Sequence, residues 1–289
     1  MTRFRSSNLF PMLVVALIVA VLYFPLVILA NYGTAQRALE RGAALDCKTA
    51  IACSTRLRSP VLPSPQQLWT GFRSLSLPLT APTSILPNAW ATAGNTLLGL
   101  LLATVVGFFF AIGIVASRAF ERSLLPWVVA SQTVPIIALA PMLVVVLGQY
   151  GVQGALPKAI IAAFVAFFPI AIGVAKGLRS PDPLALDLMK TYNATDRQTY
   201  LKLRFPASVP YLFTAFKVAI TAALIGAIVA EISTIGFQQG LGRMLFENSR
   251  ASDVVSIWVI MISSALLGIL LVALVGWVER LGTPWRRAR

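Results

Sequence analysis

Residues 187–210 read DLMKTYNATDRQTYLKLRFPASVP, a polar stretch set between two runs apolar enough to live in lipid. Its local signals are explicit. Asp182 can cap a helix and Pro183 suits a first turn, so a short helix is predicted over roughly 184–192. Asn193, the non-glycine residue type most tolerant of the left-handed region, can end that helix. Thr195 is an N-cap for a second helix, with Asp196 favourable in its first turn. The second helix is expected to run to Phe205, where Pro206 and Pro210 break it. Two short helices at an angle bury little by themselves and suit docking into a partner's groove.

The surroundings are those of a membrane protein. Of 289 residues 57% are hydrophobic and 12% charged, against roughly 25% charged in a soluble domain. No charge occurs between Arg5 and Arg37, Arg73 and Arg118, Arg122 and Lys158, or Asp253 and Glu279. Each gap can hold the roughly 20 apolar residues of a span. The expected spans are 11–30, 89–116, 124–147, 158–178, 212–232 and 255–278, six helices in an all-α polytopic fold. The apolar run after the N-terminus is too long for a typical signal peptide and is read as a retained first helix. Pro25, Pro135, Pro141 and Pro169 fall inside spans and mark kinks packed against protein.

The net charge of +14 does not point to nucleic acid, because the basic residues flank the spans as topology signals and lipid head-group contacts. Fifteen of the 24 Lys and Arg residues fall on one side if the N-terminus is inside. Both termini are therefore expected in the cytoplasm. The chain divides into 1–88, a first span with an outer segment, and 89–289, a five-span core containing the cytoplasmic loop 180–206.

The outer segment holds both cysteines, Cys47 and Cys53, which are either bridged, as an oxidising compartment would favour, or two free thiols. SPVLPSPQQLW at 59–69 reads as Pro-rich and extended along the outer face, with Trp69 and Trp90 as interfacial aromatics. After the fifth span, Gly236, Gly240 and Gly242 permit sharp turns. That segment either dips back into protein or forms an ordinary loop.

Polar residues within spans are candidates for the translocation pathway: Gln132, Thr133, Glu231 and Ser233. Glu231 either lines the path or is an interfacial carboxylate paired with Arg243 or Lys158. Asn95 and Thr96 can bridge helices, and Lys217 is expected to snorkel to the inner surface. His is absent, which removes the commonest general base and metal ligand. No metal site is expected, and no GxxxxGK[ST] run is present to cradle nucleotide.

The stretch 187–210 resembles the cytoplasmic loop of inner-membrane permease subunits of binding-protein-dependent ABC importers, with pattern EAA, three residues, Gly, nine residues, Ile, one residue, Leu-Pro. Asp187-Leu188-Met189 stands at the EAA, Asn193 at the Gly, Leu203 at the Ile and Phe205-Pro206 at the Leu-Pro. NAWATAGNTLLGLLLATVVGFFFAIGI at 88–114, SQTVPIIALAPMLVVVLG at 131–148 and AIVAEISTIGFQQGLGRML at 227–245 are similar to the taurine, nitrate and sulfonate branch, which includes importers of thiamine-pyrimidine precursors and riboflavin. The resemblance implies a MetI-like permease fold in the bacterial inner membrane. It implies two permease chains, an ATPase dimer that uses ATP and Mg, a periplasmic substrate-binding protein, and no cofactor on this chain. It assigns ATPase coupling to Asp187, Tyr192, Asn193, Ala194, Thr195, Asp196, Arg197, Tyr200 and Pro206. The solute expected is small, a pyrimidine-type vitamin precursor or a sulfonate- or nitrate-like compound.

Two other classes fit less well. An ion- or proton-coupled carrier wants inverted repeats with buried ionisable residues near midplane. A membrane enzyme wants a nucleophile beside a base or paired intramembrane acids, and neither is visible.

Overall fold

A computed structural model describes residues 9–41, 47, 49–57, 59–233 and 239–283. The basic residues expected at the termini (Arg3, Arg5, Arg286, Arg287 and Arg289) and the turn residue Gly236 lie outside the described residues. All regular structure among the described residues is helical: α1 Leu9–Glu40, α2 Ala50–Ser54, α3 Pro65–Ser76, α4 Ile85–Ala116, α5 Arg118–Ser131, α6 Ile136–Gln149, α7 Ala155–Leu178, α8 Pro183–Thr191, α9 Asp196–Thr199, α10 Phe205–Ser233, α11 Leu241–Arg250 and α12 Val254–Gly282.

Among the described residues, four helical runs are long and apolar enough to cross a membrane: α4, α7, the run Asp196–Ser233 and α12. The pair α5 and α6 passes the same test together but is bent by 96°. The expected single span 124–147 is thus two helices. The break falls where Pro135 supplies no N–H, and where Ser131 and Thr133 turn their hydroxyls onto their own backbone, donating to Val128 O and Ala130 O at 2.7 Å. Counted as one crossing, the pair brings the total to five. The expected span 11–30 lies inside the 32-residue α1 and would make the sixth.

The chain divides into two compact units, Met1–Pro78 with Glu247–Ile262, and Leu79–Phe246 with Ser263–Arg289. In the first, Asn31 is the organising side chain. It is fully buried, donates to Ser54 O (3.0 Å) and Leu62 O (2.7 Å), and accepts from Val61 N (2.7 Å). Tyr23 Oη donates to Pro63 O at 2.8 Å. The loop is thereby fastened along α1, and Cys47 and Cys53 close its tip with a disulfide. The stretch expected to be extended is only partly so: Ser64 and Gln67 form a capping box and Pro65 begins α3.

In the second unit, α7 is the centre, with α4 and α10 packed along it. The seam is built from small residues: Ala103 and Ala111 of α4, Ala162 and Ala166 of α7, Ala219, Ala223 and Ala227 of α10. Lipid tails are as apolar as leucine, so helix association inside a bilayer depends on close backbone approach. Gly99 and Gly226 clasp Ala162 from both sides. A Cβ on Gly226 would lie 2.8 Å from Ala162 Cα, and one on Gly99 would lie 2.5 Å from Ala162 Cβ.

The helix that begins at Asp196 does not break at Pro206 or Pro210. It passes through a π-turn at Tyr200–Arg204 into α10, one run of 38 residues. Pro206 offers no N–H to Lys202 O and its ring crowds that carbonyl; widening the ladder, with Phe205 N donating to Tyr200 O, accommodates both defects. Lys217 does not snorkel free, for its ammonium pairs with Glu279 on α12.

Candidate functional site

Two places in the second unit gather the polar residues that a lipid-bound bundle would otherwise avoid, one at each end of α7. They are separated by about 30 Å along the helix, at 1.5 Å per residue from Lys158 to Leu178.

The first is the elbow between α7 and α10. Asp182 accepts from Leu184 N at 2.9 Å, and Pro183 opens α8. Asn193 takes φ +50°, ending α8 by a left-handed residue. Thr195 and Gln198 form a capping box at the start of α9. Asp187, Tyr192, Asn193, Thr195, Asp196, Arg197 and Pro206 are exposed, while Ala194 and Tyr200 are half-buried. Tyr192 is 76% exposed and Leu188 56%, an unusual display of apolar surface on a polar element. Arg204 anchors the base of the elbow: Nη1 donates to Leu178 O at 3.3 Å and the guanidinium lies 5.1 Å from the Tyr200 ring. Beside it, Arg179 grips Glu121 through both nitrogens, at 2.7 and 2.8 Å, and donates to Ile114 O at 2.9 Å. The C-terminal ends of α4 and α7 and the start of α5 are thus tied together.

The second place surrounds Glu231. This carboxylate is 1% exposed and accepts from Thr92 Oγ1 (2.9 Å), Asn95 Nδ2 (3.0 Å) and Gly242 N (2.9 Å). Thr92 also accepts from Leu241 N at 2.9 Å, and Asn88 accepts from Gly240 N at 2.7 Å. The acid and two polar side chains of α4 therefore cap the N-terminus of α11, where free N–H groups and the helix dipole favour an anion. Gly240 and Gly242 are required by proximity: added Cβ atoms would lie 2.3 Å from Glu231 Cδ and from Ile228 O, respectively. The segment after α10 is accordingly packed back onto α4 and α10 through Gly240–Gly242.

Next to this node opens a cleft of ≈ 890 Å³ lined by Trp90, Asn95, Gln153, Lys158 and Gln239 among others. Lys158 is only 4% exposed and shares the cleft wall with Asn95, whose amide donates to Glu231. Of the pathway residues expected from sequence, Glu231 lies in the node and not on the cleft wall. Ser233 donates to Val229 O at 2.9 Å. Gln132 and Thr133 sit at the α5–α6 break, exposed, with hydrogen bonds local to it. Sequence reasoning missed Asn88 and Thr92. Their signal is the helical spacing 88, 92, 95 in an otherwise apolar helix.

Comparison with known proteins gives a consistent answer. The fold is that of the inward-facing methionine ABC transporter MetNI (TM-score 0.60, 15% identity, 68% of this chain and 94% of that one). An amino acid ABC transporter with histidines is similar as well (TM-score 0.55, 15% identity, 68% and 92%). Among sequences, the formylaminopyrimidine transport permease protein ThiX of Halalkalibacterium halodurans is 32% identical over 78% of this chain and 86% of its own length. A putative aliphatic sulfonates transport permease protein, SsuC of Bacillus subtilis, is 26% identical over 79% of each chain. Residues 71–287 match the family described as the binding-protein-dependent transport system inner membrane component, and the chain belongs to that family as the membrane permease subunit of an ABC importer, the ATPase being a separate chain.

Proposed function

We propose that this permease works as a pair with a second permease copy, accepts a small heteroaromatic solute of the aminopyrimidine type from a periplasmic binding protein, and is driven by an ATPase dimer seated on the α8–α9 elbow. The observation that carries the coupling assignment is the elbow itself. It is capped at both of its helix starts, it exposes Leu188 and Tyr192, and it is continuous with α10. A rigid object of this kind transmits displacement, which a loose loop does not. Asp187, Tyr192, Asn193, Ala194, Thr195, Asp196, Arg197, Tyr200 and Pro206 form the coupling surface. The excess of Lys and Arg around this elbow supports a cytoplasmic position and cytoplasmic termini. On that orientation the Glu231 node and its cleft lie at the outer end, and the apolar faces of α4 and α12 meet lipid.

ATP binding closes the paired ATPases, the elbows follow, and α10 tilts against α7. Energy enters as a difference in affinity between outward- and inward-facing states. The solute class follows the relative named for formylaminopyrimidine, at 32% identity. A second support is electrostatic: Lys158 is the one buried lysine or arginine among the described residues, so the cleft holds no cluster of cations for a sulfonate or nitrate.

The test is reconstitution of the permease with its ATPase and binding protein in proteoliposomes, measuring uptake of an N-formyl aminopyrimidine, an alkanesulfonate, nitrate and riboflavin. ATP-dependent pyrimidine uptake that requires the binding protein is expected. Uptake confined to the anions would overturn the solute class, and an ATPase that fails to co-purify would overturn the coupling assignment.

A further inference from the structure

The elbow and the Glu231 node leave one feature unused: the buried lysine on the wall of the cleft. Lys158 is 4% exposed, yet its ammonium makes no hydrogen bond or ion pair within 4 Å among the described residues. The nitrogen is not sealed off in the protein, because Lys158 is part of the cleft lining. The carboxylate of Glu231 already accepts from Thr92, Asn95 and Gly242. The acceptor for Lys158 is therefore drawn from the cleft itself, from water when the cleft is empty and from a solute when it is filled.

The rest of the lining indicates what brings it. Asn95 commits Nδ2 to Glu231, which fixes its amide orientation and leaves Oδ1 as an acceptor. Gln153 and Gln239 add neutral amides at the rim. Trp90, 82% exposed, contributes a flat indole to the same cleft. The volume of ≈ 890 Å³ falls within the range of small-molecule sites. Donor, acceptor and flat aromatic surface together match a planar ring that carries both an acceptor and an exocyclic amine.

We infer that this cleft is the subsite where the solute first rests on the permease, with Lys158 donating to a carbonyl or ring nitrogen, Asn95 Oδ1 accepting from an exocyclic amine, and Trp90 stacking on the ring. The assignment rests on the heteroaromatic reading given above. It adds Lys158, Asn95 and Trp90 as residues that set specificity, and it makes Glu231 a positioning residue that orients Asn95 without touching solute.

The experiment uses the full transporter in proteoliposomes with an N-formyl aminopyrimidine as the probe. Lys158→Met removes the donor at nearly constant length and is expected to raise KM about ten-fold or more, the loss of one hydrogen bond from a charged group, with a smaller change in kcat. Lys158→Arg, which keeps a cationic donor, recovers most of that loss. Trp90→Leu, at an exposed position that folding tolerates, raises KM about five-fold or more if one stacking contact is lost. An unchanged KM in Lys158→Met overturns the subsite. Should Lys158→Met fail to assemble with the ATPase, an unchanged KM in Trp90→Leu overturns it equally. If the wild type carries a sulfonate in place of the pyrimidine, the solute class falls; Lys158→Met is then measured on that sulfonate, and an unchanged KM overturns the cleft as well.

Discussion

Thr92 and Glu231, 139 positions apart, share a hydrogen bond of 2.9 Å that joins α4 to α10, and the same hydroxyl oxygen accepts from Leu241 N at 2.9 Å. One small side chain thus holds two spans and the start of α11 together. Thr92→Val keeps the shape and removes both bonds, leaving a buried N–H and a carboxylate short of one donor. Each such unsatisfied group costs about 1–3 kcal/mol, although side-chain bonds between membrane helices average nearer 0.6 kcal/mol in measured cycles. A drop of several degrees in the thermal midpoint in nanodiscs is expected for Thr92→Val, with faster hydrogen exchange at Leu241, and little change for Thr92→Ser. A midpoint and exchange rate equal to wild type in Thr92→Val would remove the cap from the account.

The elbow supplies a second prediction. Thr195→Ala deletes the side-chain half of the capping box with Gln198, at a cost of about 1 kcal/mol in helix stability. On an exposed element this leaves insertion intact and lowers uptake, because α9 frays where it must push. Asn193→Gly suits φ +50° and is tolerated. Asn193→Pro cannot adopt it, and Ala194→Asp adds a charge at the angle of the elbow. Both abolish uptake in membranes that still contain the protein. Immunoblotting of membranes alongside uptake separates these outcomes, and full uptake by either variant would count against ATPase docking there.

Which features could be read from the sequence depended on their range. The elbow was legible because its determinants are neighbours: Asp182 bonds the N–H two residues on, Thr195 the one three residues on, and Asn193 ends a helix by its own backbone preference. The spans were legible from the charge gaps. The 96° bend between α5 and α6 was not, since proline at 135 announces a kink while its angle is set by what each half packs against. The rule that proline stops a helix also misled at Pro206, where a π-turn absorbs the missing N–H. The partners of Glu231 were hidden by distance, 136 positions to Asn95 and 139 to Thr92. Only the spacing of Asn88, Thr92 and Asn95 on one helix face hinted at a buried acceptor or donor opposite.

Topology is open to a direct chemical check at the disulfide. Cys47 and Cys53 are bonded and are the chain's two cysteines. If the segment 31–88 lies outside, a membrane-impermeant maleimide should label intact spheroplasts only after treatment with an impermeant reductant. Labelling without reductant would mean free thiols. Labelling that requires membrane permeabilisation would place the segment inside and with it reverse the orientation of the elbow.

The continuity of α9 with α10 leads to the most mechanical expectation. The helical run from Asp196 to Ser233 is continuous, with the π-turn at Tyr200–Arg204 bridging the bond that Pro206 cannot make, so a displacement of α9 is carried into α10 with no loop between them. Arg204 fixes the rod against the end of α7 through Leu178 O, and Phe205 packs edge-on against Phe108 of α4 with centroids 6.1 Å apart. Inserting two glycines between Arg204 and Phe205 breaks the ladder at its widest turn and gives the joint rotational freedom. ATPase assembly should persist, because the elbow keeps its own caps, while the solute carried per ATP hydrolysed falls steeply. Measuring both rates in the same proteoliposomes distinguishes this from simple loss of protein: unfolding lowers the two together, whereas a severed rod lowers uptake alone. An unchanged ratio would mean that force reaches the spans by another route, with the Arg179–Glu121 pair at the end of α7 the next place to cut.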